Sequence, residues 1–409
     1  MCFVVAAVLI SGCGSQRPAV APDPVPHDDY YAPHHAITYE DRAYDVNVRT
    51  VQVWRNGVEG DVPILELGSA DQLRFDFDLL GGEEPSLSYA VVYCDAQWRP
   101  SDLVPLNYLD GAPSEFVPAP NRSSITRVSY LHYAIPFPSA LMRPKLSGNY
   151  LLKVYRGSDP DDLLLTRRFM ITEQRVQIDA RVVATRNVDD RDYLQQVDLT
   201  IRHPGVHIPD PFGELSVTVL QNMRWDDART GLLPRYTRAF ELIYDYPPQA
   251  LFNGGNEWRP LNAKSVRYAR IGVARIESDS ALNELVLVPD LKRNISVHID
   301  QPDLNGRHLV RTDDGYDPTT DADYVMVDWT LPLAAPLGGG QLFVYGAFSG
   351  YQLTKEFRCA WEDSTHCYRA RAMMKQGFAD YCYAFLPDGA TVPDLTLVEG
   401  NHYATENDY

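Results

Sequence analysis

The stretch Leu73-Arg74-Phe75-Asp76-Phe77-Asp78-Leu79 alternates strictly between apolar and polar side chains. This period of two places the leucines and phenylalanines on one face of a strand and the arginine and aspartates on the other. Other segments show the same alternation, or a short run of aromatic and branched residues, at 150–155, 197–202, 215–219, 325–331, 342–345 and 381–385. Short strands with one polar face predict antiparallel sheets that pack as sandwiches.

The predicted fold class is all-β, with three consecutive antiparallel immunoglobulin-like β-sandwich domains after a lipoprotein tether. A chain of 409 residues is too long for one compact core. We expect a first β-sandwich at 43–172, a second β-domain at 173–317 and a third β-sandwich at 318–409. The polar, turn-forming residues 313–318 mark the last of these boundaries.

The charge of the chain disfavours two classes of partner. Its 37 Lys and Arg residues stand against 55 Asp and Glu residues, which gives a formal net charge of −18. Like charges repel such a surface from phosphate backbones and from anionic lipid head groups. We therefore expect no nucleic-acid partner and no direct contact of the protein surface with a membrane.

The N-terminus predicts export and a lipid anchor. Residues 1–10 form an uncharged apolar run, about the length of a signal-peptide core, that leads into Ser11-Gly12-Cys13-Gly14. Small residues before a cysteine suit a lipoprotein signal peptidase, so we predict a signal peptide at 1–12 and a diacylglycerol on Cys13. The alternative is an ordinary signal peptide with an incidental cysteine. Gly14, in place of Asp, favours sorting to the outer membrane, and residues 13–42 predict an extended tether rich in Pro, His and Asp.

Four further cysteines, Cys94, Cys359, Cys367 and Cys382, lie in the three blocks. In an oxidising periplasm they could form two disulfides, and four cysteines allow three pairings. We favour a Cys359–Cys367 disulfide, because residues 360–366 have the character of a loop between strands. The cysteines lack the close pairs of a zinc site, and none lies in a nucleophile motif.

One acidic stretch has the oxygen ligands that calcium prefers. Asp300, Asp303, Asn305 and Gly306 resemble the opening of a calcium loop, but the bidentate Glu that closes such a loop is missing. The alternative is a polar turn between two strands. We predict no metal, no cofactor and no catalytic residue, since the chain has no nucleophile elbow, phosphate loop, dinucleotide fingerprint or zinc-binding helix motif.

A likeness to sugar-binding modules comes from the third block. Gly346-Ala347-Phe348-Ser349-Gly350-Tyr351, followed by Lys375-Gln376-Gly377-Phe378, is similar to the early-set sandwiches of starch- and glycogen-binding modules. Those modules stack sugars on exposed tryptophans, and Tyr351 stands where such a Trp is usual. The likeness implies an early-set-like fold for 318–409. It also gives an alternative function, a periplasmic or surface glycan-binding lipoprotein that uses this C-terminal domain.

A second set of motifs occurs in one order along residues 44–409. Tyr93-Cys94-Asp95-Ala96-Gln97-Trp98 resembles a family segment that has His in place of Tyr93. Further motifs follow at 130–133, 147–150, 221–222, 254–257, 303–306, 375–377 and 399–409. Each is short, but their order over three blocks is specific. In these motifs the chain resembles the plug proteins of the type 9 secretion system.

This resemblance implies a function through surface shape and carries over no catalytic residue. It implies a non-enzymatic subunit that seals the periplasmic opening of the giant outer-membrane β-barrel translocon while the translocon is idle. The partner is then the barrel, and the location is the periplasm, anchored to the outer membrane through Cys13. Because family members usually continue past the segment that ends here at Tyr409, we also expect a longer chain.

Overall fold

The computed structural model describes residues 37–245, 250–279 and 281–409 of the protein. The predicted signal peptide, Cys13 and the tether as far as residue 36 lie outside the described residues. Within the described ranges the chain has 26 strands and four one-turn helices. The all-β class is therefore confirmed, whereas the immunoglobulin-like topology and the division into three domains stay predictions.

The first unit consists of two larger sheets that pack face to face and one two-stranded sheet. Its strands are β1 Arg42–Ala43, β2 Val48–Arg55, β3 Ile64–Glu66, β4 Leu73–Leu80, β5 Leu87–Cys94, β6 Leu109–Gly111, β7 Glu115–Phe116, β8 Asn121–Arg122, β9 Tyr130–Phe137, β10 Met142–Pro144, β11 Gly148–Arg156 and β12 Leu163–Thr172, with helix α1 at Pro105–Tyr108. One sheet has the order β1-β12-β11-β5-β7, and the other has the order β2-β4-β9-β8. The alternating stretch of the sequence is β4, and Phe75 and Phe77 point from it into the core between the sheets.

The second unit is a smaller sheet. Its strands are β13 Gln177–Ala184, β14 Leu194–Arg202, β15 Tyr236–Arg238, β16 Glu241–Tyr244 and β17 Leu251–Asn253, with helix α2 at Pro211–Glu214. The order is β13-β14-β16-β15, and β17 pairs with the start of β14. Residues 215–219, which we predicted as a strand, make only an isolated bridge at Val219. That prediction is wrong because Leu215 and Val217 alternate against the core without joining a ladder.

The third unit is built on a nine-stranded sheet. Its strands are β18 Arg259–Asn262, β19 Val273–Ser278, β20 Asn283–Leu287, β21 His308–Val310, β22 Tyr324–Pro332, β23 Gly340–Tyr345, β24 Arg358–Glu362, β25 Cys367–Lys375 and β26 Gly377–Pro387, with helices α3 at Pro318–Asp321 and α4 at Thr396–Glu399. The order is β18-β26-β23-β24-β25-β22-β20-β19, with β21 beside β26. Strands on both sides of residue 317 therefore share one sheet, although we placed a domain boundary there.

The core of the third unit shows why this sheet must curl. Leu285 from β20, Trp329 from β22, Val344 from β23 and Tyr383 from β26 belong to one buried cluster. These strands are spread across the sheet, so their apolar faces can meet only if the sheet bends around them. No helix in the described ranges has the length and apolar character needed to cross a bilayer.

The two-faced character of β4 can be tested by truncating one core phenylalanine. Phe75 is 1% exposed, and its ring lies 5.5 Å from that of Phe169. We expect Phe75→Ala to lower the free energy of unfolding by about 3–5 kcal/mol, because it removes apolar contacts and leaves a cavity. Phe116→Ala is the matched control, since Phe116 is 76% exposed, and it should change that free energy by less than about 0.5 kcal/mol. Urea unfolding followed by circular dichroism measures both, and equal losses would contradict the assignment.

Candidate functional site

The polar face of β4 forms a buried joint between the first and third units. The Lys375 Nζ lies 2.6 Å from the Asp78 Oδ2, and the two side chains are only 2% and 1% exposed. The same carboxylate accepts hydrogen bonds from the Tyr324 hydroxyl at 2.7 Å and from the His132 Nδ1 at 2.8 Å. The ammonium also lies 4.1 Å from the centre of the Tyr130 ring. The Asp78 carboxylate and the Lys375 ammonium are therefore both paired, and each has partners that belong to the other unit.

The charges at this joint are balanced. Burial disfavours the ionised Asp78 carboxylate, but the Lys375 ammonium and the His132 ring outweigh burial and hold the pKa of Asp78 below its ordinary value. Asp78 is therefore a carboxylate at neutral pH, and its charge cancels that of Lys375. Removing either partner would leave a charge in a low-dielectric interior, which costs several kcal/mol.

Where the first and second units meet, an arginine side chain packs against two tryptophan rings. The Trp98 and Trp225 rings lie edge to face, with 5.2 Å between their centres. The Arg168 guanidinium lies 4.7 Å from the Trp98 ring and 5.1 Å from the Trp225 ring. Trp98 reaches this position because its backbone has a φ of 60° in a turn that the Asp95 carboxylate caps through the backbone N–H groups of residues 97 and 99. The Tyr93–Trp98 motif therefore serves to direct a tryptophan at the second unit.

The second and third units share a buried hydrogen-bonded triad. The Arg224 Nη2 lies 2.9 Å from the Asp226 Oδ2, and the Tyr345 hydroxyl donates to the same oxygen at 2.7 Å. Burial disfavours the Arg224 cation, but Tyr345 and the Asp226 carboxylate outweigh it and hold the pKa of Arg224 well above its ordinary value. Each of the three units therefore contacts the other two through buried polar or aromatic groups.

A C-terminal strap, residues 400–409, reinforces the last joint. The backbone N–H and side chain of Asn222 bond to Asp408 and Asn407 at 2.7–2.9 Å. The Gln195 amide donates to the carbonyls of Tyr403 and Thr405 at 2.7 Å. The strap passes so close to Gly254 that a Cβ there would lie 2.0 Å from the His402 carbonyl oxygen. The motifs at 221–222, 254–257 and 399–409 are thus brought together in space.

Two cavities lie at the joints. One of about 320 Å³ lies beside the strap and is lined by residues that include Arg224, Arg229 and Asn256. The other, of about 40 Å³, lies between the first and third units beside Thr50 and His308. In the part of the chain that the structure describes, no cluster of His, Cys, Asp or Glu could hold a metal ion. The Asp303 carboxylate instead accepts the backbone N–H groups of Asn305 and Trp258, at 2.7 and 2.5 Å, as a polar turn requires.

The Cys359–Cys367 disulfide that we predicted is not formed, and strand register explains why. All four cysteines in the described ranges have free, buried thiols. Cys367 lies opposite Glu362 in the β24–β25 pair, three positions along the strand from Cys359. At about 3.3 Å per residue the two Cα atoms are offset by about 10 Å along the strands, which already exceeds the roughly 7 Å limit for a disulfide. Burial raises the pKa of the Cys359 thiol well above its ordinary value, so it stays protonated.

The inter-unit role of Asp78 is the feature that sequence reasoning missed. The polar face of a strand can lie in solvent or in a buried joint between units. The sequence alternates with a period of two in both cases, so the pattern does not distinguish them. Two signals were available: two aspartates alternate on one face of β4, and a lysine opens the 375–377 motif. Buried ions require partners, but the pairing of residues 297 positions apart is visible only in three dimensions.

The buried pair predicts a strong dependence of stability on Lys375. We expect Lys375→Met to lower the free energy of unfolding by about 3–5 kcal/mol, because Asp78 is left buried without its cation. The double variant with Asp78→Leu should recover most of this loss. Arg371→Met is the matched control, since its partner Glu284 lies in an exposed pair worth about 0–1 kcal/mol. Urea unfolding of the four proteins measures these values, and equal effects of the two single variants would contradict the assignment.

A buried histidine at the same joint predicts a dependence on pH. Burial, assisted by the nearby Lys375 ammonium, lowers the pKa of His308 from 6.5 to about 4. The stability that the neutral, buried His308 contributes is fully present above pH 6.5 and is lost as the pH falls toward 4. The loss arises because the unfolded chain binds a proton that the folded chain does not bind. The full loss is about 3 kcal/mol. Thermal unfolding between pH 7 and pH 5 should show this slope, and His308→Leu should reduce it. The exposed His207→Leu should not, and an unchanged slope in both variants would refute the assignment.

Comparison with known proteins agrees with this architecture. Residues 48–173 match the family model described as the type 9 secretion system plug protein first domain. A hypothetical protein from Parabacteroides merdae, known from its crystal structure, is 30% identical with a TM-score of 0.87, over 91% of this chain and 94% of that one. An alkylpurine DNA glycosylase from Pseudomonas fluorescens is 13% identical over 31% of each chain, and its TM-score of 0.19 is too low to indicate a shared fold. None of the curated proteins matches the chain. This chain therefore belongs to the type 9 secretion system plug protein family, which gives it a role in type 9 secretion at the cell envelope.

Proposed function

We propose that this protein seals the periplasmic opening of the outer-membrane translocon of the type 9 secretion system while that translocon is idle. The observation that carries the proposal is the closed arrangement of the three units, each joined to both others. Family membership supplies the link to the secretion system. The proposed partner is the giant β-barrel, and the proposed activity is steric, without a catalytic step.

A stopper for a wide pore must resist bending, and the joints supply that resistance. A purely apolar contact allows two surfaces to slide, because the hydrophobic effect is not directional. The Lys375–Asp78 pair and the Arg224–Asp226–Tyr345 triad are directional, since each needs a particular distance and orientation. The three units then behave as one body, which can block a pore without deforming.

A lipid on Cys13 would keep the stopper close to its pore. Residues 13–42 would tether the folded units to the outer membrane, and confinement of this kind raises the effective concentration of the protein at the barrel. A modest affinity then suffices for occupancy, and release remains fast when cargo is secreted. Mass spectrometry of the mature N-terminus tests this part alone.

The alternative function, glycan binding, depends on an exposed aromatic platform in the third unit. The Tyr351 ring instead packs among aromatic residues, with 5.7 Å between its centre and that of Tyr345 and 6.4 Å to that of Trp258. Stacking of a sugar needs a free ring face on the surface. This packing favours the translocon proposal over the glycan proposal.

Purification from native membranes tests the proposed partner. We expect the full chain, crosslinked in cells and extracted in detergent, to retain an outer-membrane β-barrel protein. The variant Cys13→Ser should leave the membrane fraction and retain several-fold less barrel, because the local concentration falls. Recovery of specific glycans without any barrel would overturn the proposal.

Permeability tests the sealing itself. Cells that lack this protein should admit large antibiotics that the outer membrane normally excludes, and the wild-type chain should restore exclusion. Loss of secretion with unchanged permeability would show a role in the secretion system other than sealing.

A further inference from the structure

Strand β13 is an exposed edge of the second unit. Its eight residues pair with β14 alone, in a register that runs without a bulge from Gln177–Arg202 to Ala184–Gln195. Six of the eight residues are exposed. Every second residue of such an edge turns its backbone N–H and C=O groups away from the sheet. In the described ranges no other strand pairs with this side.

The other edge strands of the described sheets are shorter than β13, bulged, or covered by another unit. Strands β1, β7, β8 and β15 have two or three residues each. The longer β2 is bulged and lies against the third unit, where the Thr50 hydroxyl contacts that of Tyr324 at 2.6 Å. Strand β19 has six residues and a bulge. Long, regular, uncovered edges are sites of strand addition.

One face of β13 is apolar and continues the core face of its sheet. Ile178 lies opposite the buried Ile201, and Val182 lies opposite the buried Val197. Residues opposite one another in a ladder point to the same face, so the apolar face extends past the core. Ile178 is nevertheless 59% exposed and Val182 is 41% exposed.

The sequence of β13 is complementary to itself. If two copies of Ile178-Asp179-Ala180-Arg181-Val182 pair antiparallel with Ala180 opposite Ala180, then Asp179 of each copy lies opposite Arg181 of the other. The same register places Ile178 opposite Val182 on the apolar face. Opposite charges and branched apolar pairs at directly opposed positions both stabilise a sheet. Within its own sheet Arg181 lies opposite Asp198, and the Asp179 carboxylate bonds to the Arg202 guanidinium and the Gln177 amide, so a second copy would share these exposed charges with β14.

We propose that a second copy of this chain docks along β13 and joins the two second units into one continuous antiparallel sheet. The interface has twofold symmetry, because the same strand serves both copies, which is the usual form of a homodimer. Its charge pairs occur twice, and they specify the register centred on Ala180. This dimer goes beyond the proposed function and does not depend on it.

The interface is small, so we expect dimerisation to depend on concentration. Confinement to a membrane through a lipid would favour it, since two tethered copies meet more often than two free ones. No residue of the three joints lies on β13, so dimerisation leaves those joints in place.

Charge reversal in two complementary variants tests the register. The full chain, extracted in detergent, is examined by analytical ultracentrifugation over a range of concentrations. The wild type should form dimers. Asp179→Arg places arginines opposite arginines and Arg181→Asp places aspartates opposite aspartates, so each variant alone should dimerise at least about tenfold more weakly. Mixing the two variants should restore dimers, because both arginines of one strand then face the two aspartates of the other.

The control variant changes the charge at a position outside the proposed interface. Arg191→Asp makes the same charge change at an exposed position outside β13 and should leave dimerisation unchanged. Restored dimers in the mixture also show that both variants are folded. A wild type that stays monomeric at every concentration overturns the proposal and leaves the edge to a strand of another protein. Dimers that persist in both single variants overturn this register.

Discussion

The requirement that buried charges be paired constrains the arrangement of the whole molecule. Lys375 and Asp78 come from different units, and neither is accessible to water. Transfer of one such ion to a protein interior costs several kcal/mol, so any arrangement that shifts one unit against the other separates two charges in a medium that cannot solvate them. The pair adds little net stability compared with an apolar contact of the same size. What it contributes is a single permitted orientation of the C-terminal sheet on the first sandwich, and the strap and the aromatic joint are compatible with that orientation.

The motifs that carry the family resemblance can be understood from these joints. Asp95 caps the turn that presents Trp98 to Arg168 and Trp225. Lys375 opens the motif that pairs with Asp78, and Gly254 lies directly under the strap. Short motifs far apart in sequence therefore meet in space, where they hold the units together. The family resemblance therefore rests on residues that arrange the three units relative to one another.

Much of the fold could be predicted from the sequence, but only where local pattern decides. The alternation at 73–79 places a strand and its apolar face correctly, because both depend on side-chain direction along one segment. The boundary placed at residue 317 relied on turn residues, yet turns connect strands within a sheet as readily as they separate domains. The Cys359–Cys367 pairing relied on closeness in sequence, whereas a disulfide depends on strand register. The burial of Asp78 depends on a contact with another unit, which no local pattern reports.

The joints are buried and directional, whereas the β13 edge is exposed to water. The rigidity of the molecule and its association therefore depend on different parts of the structure. The joints bury charge and hydrogen-bonded groups, so they are expensive to break and hold the units as one body. The β13 edge offers backbone groups and modest apolar area in contact with water, so strand addition there is inexpensive to reverse. Because β13 carries none of the joint residues, association through it changes how many bodies are linked without changing the shape of any one. Rigidity and assembly can therefore be altered independently by substitution, and a defect in one does not imply a defect in the other.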